Sequence, residues 1–538
     1  MKVKSVFAGI FFVLLFSSCA SVKQPESVAQ PLNLSDSDIV ALEVEAIKKR
    51  LLEEPVEALW RAIILDDKQL YNECADYVAV QMDKAIEEND YFEAKRYFVS
   101  LVNAGWKTDS SKQKSKSIEQ LLEQDIPGIG VQSGKYPKTI SECMNATVTI
   151  WVDRGVKITK GAGYADIIIG SGFFIDPRGY LITNHHVIDS MVNPKYEGFS
   201  RLYIKLLSDS DTKIPAKVIG YDPVLDFALL KVEVEPEFIL YLGSSKSLHV
   251  GDSINAIGTP IGLEGTLTSG IISSIDRKLM TLGNVFQIDA AINSGNSGGP
   301  IIDKNMNVQA IVFAGMTRYQ GLNFALPVEY LKQELPILYK GGELVHPWIA
   351  AYGHTFRNGI KKCGLEVQYV MPGGSAARSG LNPGDVIVSI DGNEISSIED
   401  FQFLMMAYQP GMIVSCVCKT ETGETKNLKL YLSNRPKTPV VDIYNSDFIS
   451  GSFIPIFGME LVNSSTLSKK SYKIKKIIKG SVADEMSFSE DDAVSVRDVK
   501  FDKENEVMYV QIYTQRKKKG LLDITMILRS PLDSPYYF

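Results

Sequence analysis

At 538 residues the chain is long enough for several domains of about 100–200 residues each. Its composition is that of globular protein, 45% hydrophobic and 22% charged, and a net charge of −7 supplies no basic field for nucleic acid. Six scattered cysteines show neither metal-ligand spacing nor a disulfide framework, and no Walker or HExxH motif occurs, so no cofactor and no metal is expected.

Residues 1–18 read as a targeting segment. Lys2 and Lys4 precede an apolar run from Val6 to Phe16, too short to span a bilayer as a mature helix. With Phe16-Ser17-Ser18-Cys19 behind it, this start resembles a bacterial lipoprotein signal in a loose form. That resemblance implies acylation of Cys19 and a lipid anchor in the bacterial cell envelope, on its periplasmic or other extracytoplasmic face. Residues 19–35 are rich in Ser, Pro and Gln and read as a tether.

Residues 36–106 read as helices. Ser35 or Asp36 can cap the first, along which Ile39, Leu42, Ala46, Lys49 and Leu52 form a mostly apolar stripe, and Pro55 starts the next. Asn89 to Phe98 looks like one helix of a tetratricopeptide-type hairpin. At most two units are visible where a stable stack needs about three, so a helical spacer with its own small core is preferred to an interaction module. Residues 107–137 are polar and read as a linker. From 138 to 335 the runs are β-branched and punctuated by glycine, as in Thr147 to Val152 and Ile167 to Ile169, which is the composition of an all-β barrel domain.

Within that region Gly295-Asn296-Ser297-Gly298-Gly299-Pro300 sets a serine in a glycine turn, where its hydroxyl can project and backbone N–H groups can converge. Thr183-Asn184-His185-His186-Val187 supplies a candidate base, and Asp226 to Lys231 a candidate orienting acid. The order His, Asp, Ser is the chymotrypsin-type order. On these residues the chain resembles the HtrA (Deg-type) serine proteases, a trypsin-like double β-barrel followed by PDZ domains. Gly170 to Asp176, Gly179 to Asn184, Gly258-Thr259-Pro260, Thr266 to Ser273, Gln287 to Asn293 and Phe324-Ala325-Leu326-Pro327 extend the likeness over about residues 140–435.

The resemblance implies a triad of His186, Asp226 and Ser297, with an oxyanion hole in Gly295, Asn296 and Ser297. The family pattern Thr-Asn-x-His-Val selects His186 over His185. Asp226 opens an apolar strand as the family's acid does, whereas Asp222-Pro223 reads as a turn. Asn323, Phe324 and Ala325 are expected to wall a specificity pocket with no acidic residue, hence cleavage after Val, Ala or similar residues. His249, His346 and His354 have no comparable context and read as ordinary surface or core residues.

Residues 346–435 resemble a PDZ domain through Ser375 to Ile387 and the hairpin turn at Asp391-Gly392. Such domains bind peptide C-termini by strand addition, and the carboxylate loop falls on Trp348, Ile349, Ala350 and Ala351. The family usually has glycine where Ala350 stands, so an alanine must take that residue's backbone angles. Residues 445–538 repeat parts of the pattern, in Phe457 to Leu461, Gly480 to Glu485 and Glu490 to Val494, without its Pro-Gly-Asp turn, and read as a degenerate PDZ-like domain rather than an unrelated β-rich one.

The expected fold class is mainly β with α. It joins an N-terminal α-helical region, a chymotrypsin-like double β-barrel and C-terminal PDZ domains. The implied function is a serine endopeptidase that cleaves unfolded or misfolded envelope proteins through an acyl-enzyme, as a homo-trimer. A peptide-binding chaperone or scaffold with latent protease activity, and a regulatory protease with one dedicated substrate, stay open as alternatives.

Overall fold

The computed structural model describes residues 36–106, 117–122, 126–129, 134–259, 265–315, 322–464, 471–516 and 522–538. Cys19, the targeting segment and the tether lie outside the described residues.

Four helices open the described chain: α1 Asp36–Glu53, α2 Pro55–Leu65, α3 Lys68–Glu87 and α4 Tyr91–Ala104. Their ends follow from local chemistry. Pro55 stands in the first turn of α2, Asp67 and Asp90 cap α3 and α4 by accepting from the N–H of Leu70 and Glu93, and Gly105 stops α4 at φ 90°. The buried face of α1 differs from the expected stripe. Ile39, Leu42, Ala46, Lys49 and Leu52 are exposed, while Ile47 is buried with Val44 and Leu51 packed beside it. The helices are also more than a spacer with a separate core. Trp60 of α2 stacks on Tyr431 at 5.6 Å and donates to Lys429 O at 2.8 Å, and Asn103 of α4 donates to Ile413 O at 2.9 Å, so α2 and α4 dock on the first PDZ domain.

Two barrels follow. β1 Thr147–Thr159, β2 Ala162–Asp176, β3 Tyr180–Thr183, β4 Arg201–Leu206, β5 Asp209–Asp222 and β6 Phe227–Val232 run in the order β5-β4-β1-β2-β3-β6, and β5 also pairs with β6. β7 Ser253–Gly258, β8 Thr266–Arg277, β9 Val285–Ile288, β10 Pro300–Ile302, β11 Val308–Gly315 and β12 Asn323–Pro327 close a second barrel. Alternate residues fill each interior: Val148, Ile150 and Val152 in the first, Ile254 and Ala256 in the second. A helix, Val328–Lys340, packs Leu331, Leu335 and Leu338 against the barrels. The chain then adds β13 Gly342–Glu343 in parallel to β5 before leaving the protease domain.

The first PDZ domain holds β14 Pro347–Trp348, β15 Ala351–Asn358, β16 Lys361–Val370, β17 Val386–Ile390, β18 Asn393–Glu394, β19 Ile413–Lys419, β20 Thr425–Tyr431 and β21 Ser433–Asn434. Asp391 and Gly392, at φ 48° and 80°, make the expected two-residue hairpin turn between β17 and β18. Cys416 and Cys418 share the buried face of β19. The helix Ile398–Met405 faces the edge strand β15 and gives this domain a two-walled groove, with Ile398 N donating to Thr355 Oγ1.

The last domain is a five-stranded sheet of β22 Met459–Asn463, β23 Ser471–Ile477, β24 Ala493–Asp502, β25 Val507–Arg516 and β26 Leu522–Pro531. It keeps the left-handed glycine of the loop, Gly458 at φ 75°. Where the first PDZ domain inserts a helix, however, β24 runs straight into β25 through residues 503–506, so among the described residues no helix stands there as a second groove wall. The sheet ends at Pro531, and Leu532 and Tyr537 beyond it join the same core.

Candidate active site

Three loops meet between the barrels. β3 ends in Thr183, whose Oγ1 donates to Ser171 O at 2.7 Å, and buried Asn184 donates through Nδ2 to Asp226 O at 2.9 Å. The turn carrying the histidine is therefore tied to the turn carrying the aspartate before either side chain is considered. Asp226 sits at φ 59°, at the tight reversal that opens β6, and is 5% exposed. Its Oδ1 accepts from the backbone N–H of His186 at 2.7 Å, and its Oδ2 faces His186 Nδ1 at 2.6 Å. With both oxygens engaged, the carboxylate fixes the imidazole with Nδ1 toward itself and Nε2 outward.

The serine turn is clamped from the first barrel. Ser171 N donates to Ser297 O at 2.8 Å and Ser171 Oγ to Gly295 O at 2.7 Å. Gly298 is required here: at φ 83°, a Cβ on it would lie 2.3 Å from Ser171 O and 2.4 Å from Thr183 Oγ1. Among the described residues nothing accepts from the N–H of Gly295 or Ser297. Asn296 is buried and bonds within the turn, its N donating to Asn293 O at 3.0 Å and its O accepting from Gly299 N at 3.0 Å. The hydrogen bonds among the described residues join His186 to Asp226, and none joins Ser297 Oγ to His186. Such contacts commonly tighten only when substrate is present.

His186, Asp226 and Ser297 share one cavity of about 700 Å³, walled by Leu279, Met280, Ile292 and Phe313. Asn323, Phe324 and Ala325 are buried in β12, where Asn323 Nδ2 donates to Ala290 O, and they do not line this cavity. Phe313 reaches it from the register shift between Val312 and Ala314. Leu279, Met280 and Phe313 lie outside the motif stretches, while Ser171 and Ile292 lie inside them without a role of their own.

His185 lines the same cavity, where it stacks on Tyr221 at 5.3 Å, and burial lowers its pKa. Asp222 is fully buried, accepts from Val224 N and Leu225 N at 2.7 and 3.0 Å, and faces His346 Nε2 at 3.0 Å. Burial pushes the Asp222 carboxyl up, but His346 and those N–H groups outweigh it and hold it below the usual range. Glu334 beside it is driven the other way, well above the usual range, by burial and by the Asp222 charge. His346 is thus a core residue, buried beside two carboxyl groups, Asp222 at 3.0 Å and Glu334 at 3.9 Å. His249 is exposed, and His354 meets Tyr352 Oη at 2.9 Å.

In the first PDZ domain, Ala350 takes the left-handed conformation, φ 65°, that its position demands. Its carbonyl accepts from Met371 N, and that of Ile349 from Ala376 N, which orients the loop from Trp348 to Ala351.

Comparison with known proteins gives four family matches: "Trypsin-like peptidase domain" over residues 170–311, "PDZ domain" over 366–410, "TP0546 family PDZ domain" over 440–532 and a domain of unknown function, DUF8517, over 38–122. The chain is 30% identical over 329 residues to the "Serine protease PepD" of Mycobacterium tuberculosis, covering 57% of this chain and 68% of that one. It is 35% identical over 283 residues to a "Probable periplasmic serine endoprotease DegP-like" of Bartonella henselae, covering 50% of this chain and 54% of that one. It spans about half the length of several such curated relatives. Among solved structures, "HtrA-type protease AlgW with decapeptide" aligns with a TM-score of 0.45 and 27% identity, over 56% of this chain and 99% of that one.

Proposed function

Because the chain belongs to the HtrA-type family of trypsin-like serine endoproteases with PDZ domains, we propose that it cleaves polypeptides at Ser297 through an acyl-enzyme. The observation that carries this reading is the pairing of His186 Nδ1 with Asp226 Oδ2 at 2.6 Å beside Ser297 in one cavity. Ser297 Oγ attacks the scissile carbonyl as His186 Nε2 removes its proton. Asp226 holds the imidazole tautomer and stabilises the imidazolium. The N–H groups of Gly295 and Ser297 receive the developing oxyanion, and His186 returns the proton to the leaving amine. Water then repeats the sequence to release the acyl group.

Apolar walls at Leu279, Met280, Ile292 and Phe313 support cleavage after Val, Ala or similar residues in unfolded chains. Relatives named periplasmic support an envelope location. The lipid anchor at Cys19, the homo-trimer and peptide binding at the loop from Trp348 to Ala351 belong to the same proposal. A second reading, a peptide-binding scaffold with a dormant protease, draws on the missing hydrogen bond between Ser297 and His186. Cleavage of reduced casein by residues 20–538, beside Ser297→Ala, separates the two. Loss of cleavage in the variant alone identifies the nucleophile. No cleavage by either chain, with or without added peptides, leaves the scaffold. Products ending mainly in Lys or Arg contradict the apolar pocket.

A further inference from the structure

We propose that the segment Ser534–Phe538 is a built-in ligand of the first PDZ groove, so that an outside peptide must displace it to bind. β15 is the edge of its sheet, and an unpaired edge exposes backbone donors and acceptors for another strand. Here the strand is supplied from within. Ala351 N donates to Phe538 O at 2.8 Å, Phe538 N to Ala351 O at 2.9 Å and Gly353 N to Tyr536 O at 3.1 Å, with Tyr537 antiparallel to Tyr352.

The opposite wall is engaged as well. The Phe538 ring is 4% exposed and lies 5.2 Å from Phe401 of the helix Ile398–Met405, while Gln402 Nε2 donates to Pro535 O at 2.6 Å. Backbone pairing on one side and an aromatic anchor on the other are the two elements of strand-addition recognition. The donor to Phe538 O is Ala351, directly after left-handed Ala350.

The segment is rooted close by. Asp533 forms a two-pronged ion pair with Arg435 at 2.6 and 2.7 Å, and Tyr537 Oη donates to Pro455 O. A ligand leashed so closely acts at an effective concentration on the order of millimolar. Peptides of ordinary micromolar affinity are therefore held off until the segment lets go. Among the described residues no helix walls a groove between β24 and β25 of the second PDZ-like domain, so the filled groove is the one with both walls.

The inference rests on the PDZ reading and not on catalysis, so the test uses the full chain carrying Ser297→Ala. Binding of a fluorescein-labelled DSPYYF peptide, the segment's own sequence with Asp533, is followed by polarisation. Phe538→Ala and a deletion of 534–538 should each bind about tenfold or more tightly than the intact chain. Should the deletion unfold, since Tyr537 is buried in the neighbouring core, Phe538→Ala decides. Hydrogen exchange on the intact chain needs no variant at the segment: saturating peptide should deprotect the amides of Tyr536 to Phe538. Equal affinity of intact and variant chains, a folded Phe538→Ala chain that binds no peptide, or peptide bound with those amides still protected would overturn the proposal.

Discussion

Asp226 is asked to do two things with one carboxylate, to hold a backbone N–H and an imidazole N–H at once. An amide in its place keeps the shape but offers one acceptor instead of two. Asp226→Asn should therefore fold normally and lose about 10³–10⁴ in kcat on casein, with KM little changed. His354 makes the residue-scale pH prediction. Burial, with Lys278 adding to it, lowers its pKa from 6.5 to about 4, and the groups facing it are Tyr352 Oη and the Tyr536 ring at 4.0 Å. The unfolded chain gains this proton near pH 6.5, whereas the folded chain refuses it until about 4. This contribution to stability is whole above pH 6.5 and lost as pH falls toward 4, so Tm should decline across that window and less steeply in His354→Gln. The triad candidates could be read from sequence because each sits in a dense local context of glycine turn, helix start or strand opening. Leu279, Met280, Ile292 and Phe313 could not, because a cavity wall is drawn from separate strands and loops whose local patterns are ordinary apolar runs.

The N-terminal helices show the same limit one level up. Their existence follows from caps and Pro55, but the faces that α2 and α4 bury depend on a partner more than 300 residues away. In α1 a stripe at 39, 42, 46, 49 and 52 is as periodic as one at 44, 47 and 51, and spacing alone does not choose between them. Trp60 is the element's anchor, 3% exposed, with its indole N–H shared between Lys429 O and Ser379 Oγ. Trp60→Ala should destabilise the chain by about 3–5 kcal/mol in urea unfolding, from the lost ring and the cavity it leaves. A shift under about 1 kcal/mol would mean that α2 is not held through this contact. In the last domain, strand positions echo the first PDZ domain, while among the described residues no groove helix lies between β24 and β25. The missing Pro-Gly-Asp turn marks the divergence but does not reveal this.

At the scale of the whole molecule, the order of domains is legible from motifs, and the way they are joined is not. The connection from protease to PDZ could pass for a short linker. Instead β13 extends the first barrel's sheet, Leu344 N donates to Tyr221 O at 2.8 Å, and His346 is sealed against Asp222, four positions before Asp226. Lys278 of the second barrel reaches Glu399 at 2.9 Å, and Gly283 N donates to Gln402 Oε1, so the PDZ helix is gripped from that side too. Domains strung on free linkers melt separately, each with its own calorimetric enthalpy, while domains joined by a buried acid–histidine contact and by bonds to the PDZ helix lose their structure together. Scanning calorimetry should therefore record one endotherm for protease and first PDZ domain combined, and two resolved peaks would contradict it. The strand pairing of β13 would then set a thermal lifetime as well as a position: heat that loosens the PDZ domain would also dismantle the barrel carrying His186 and Asp226.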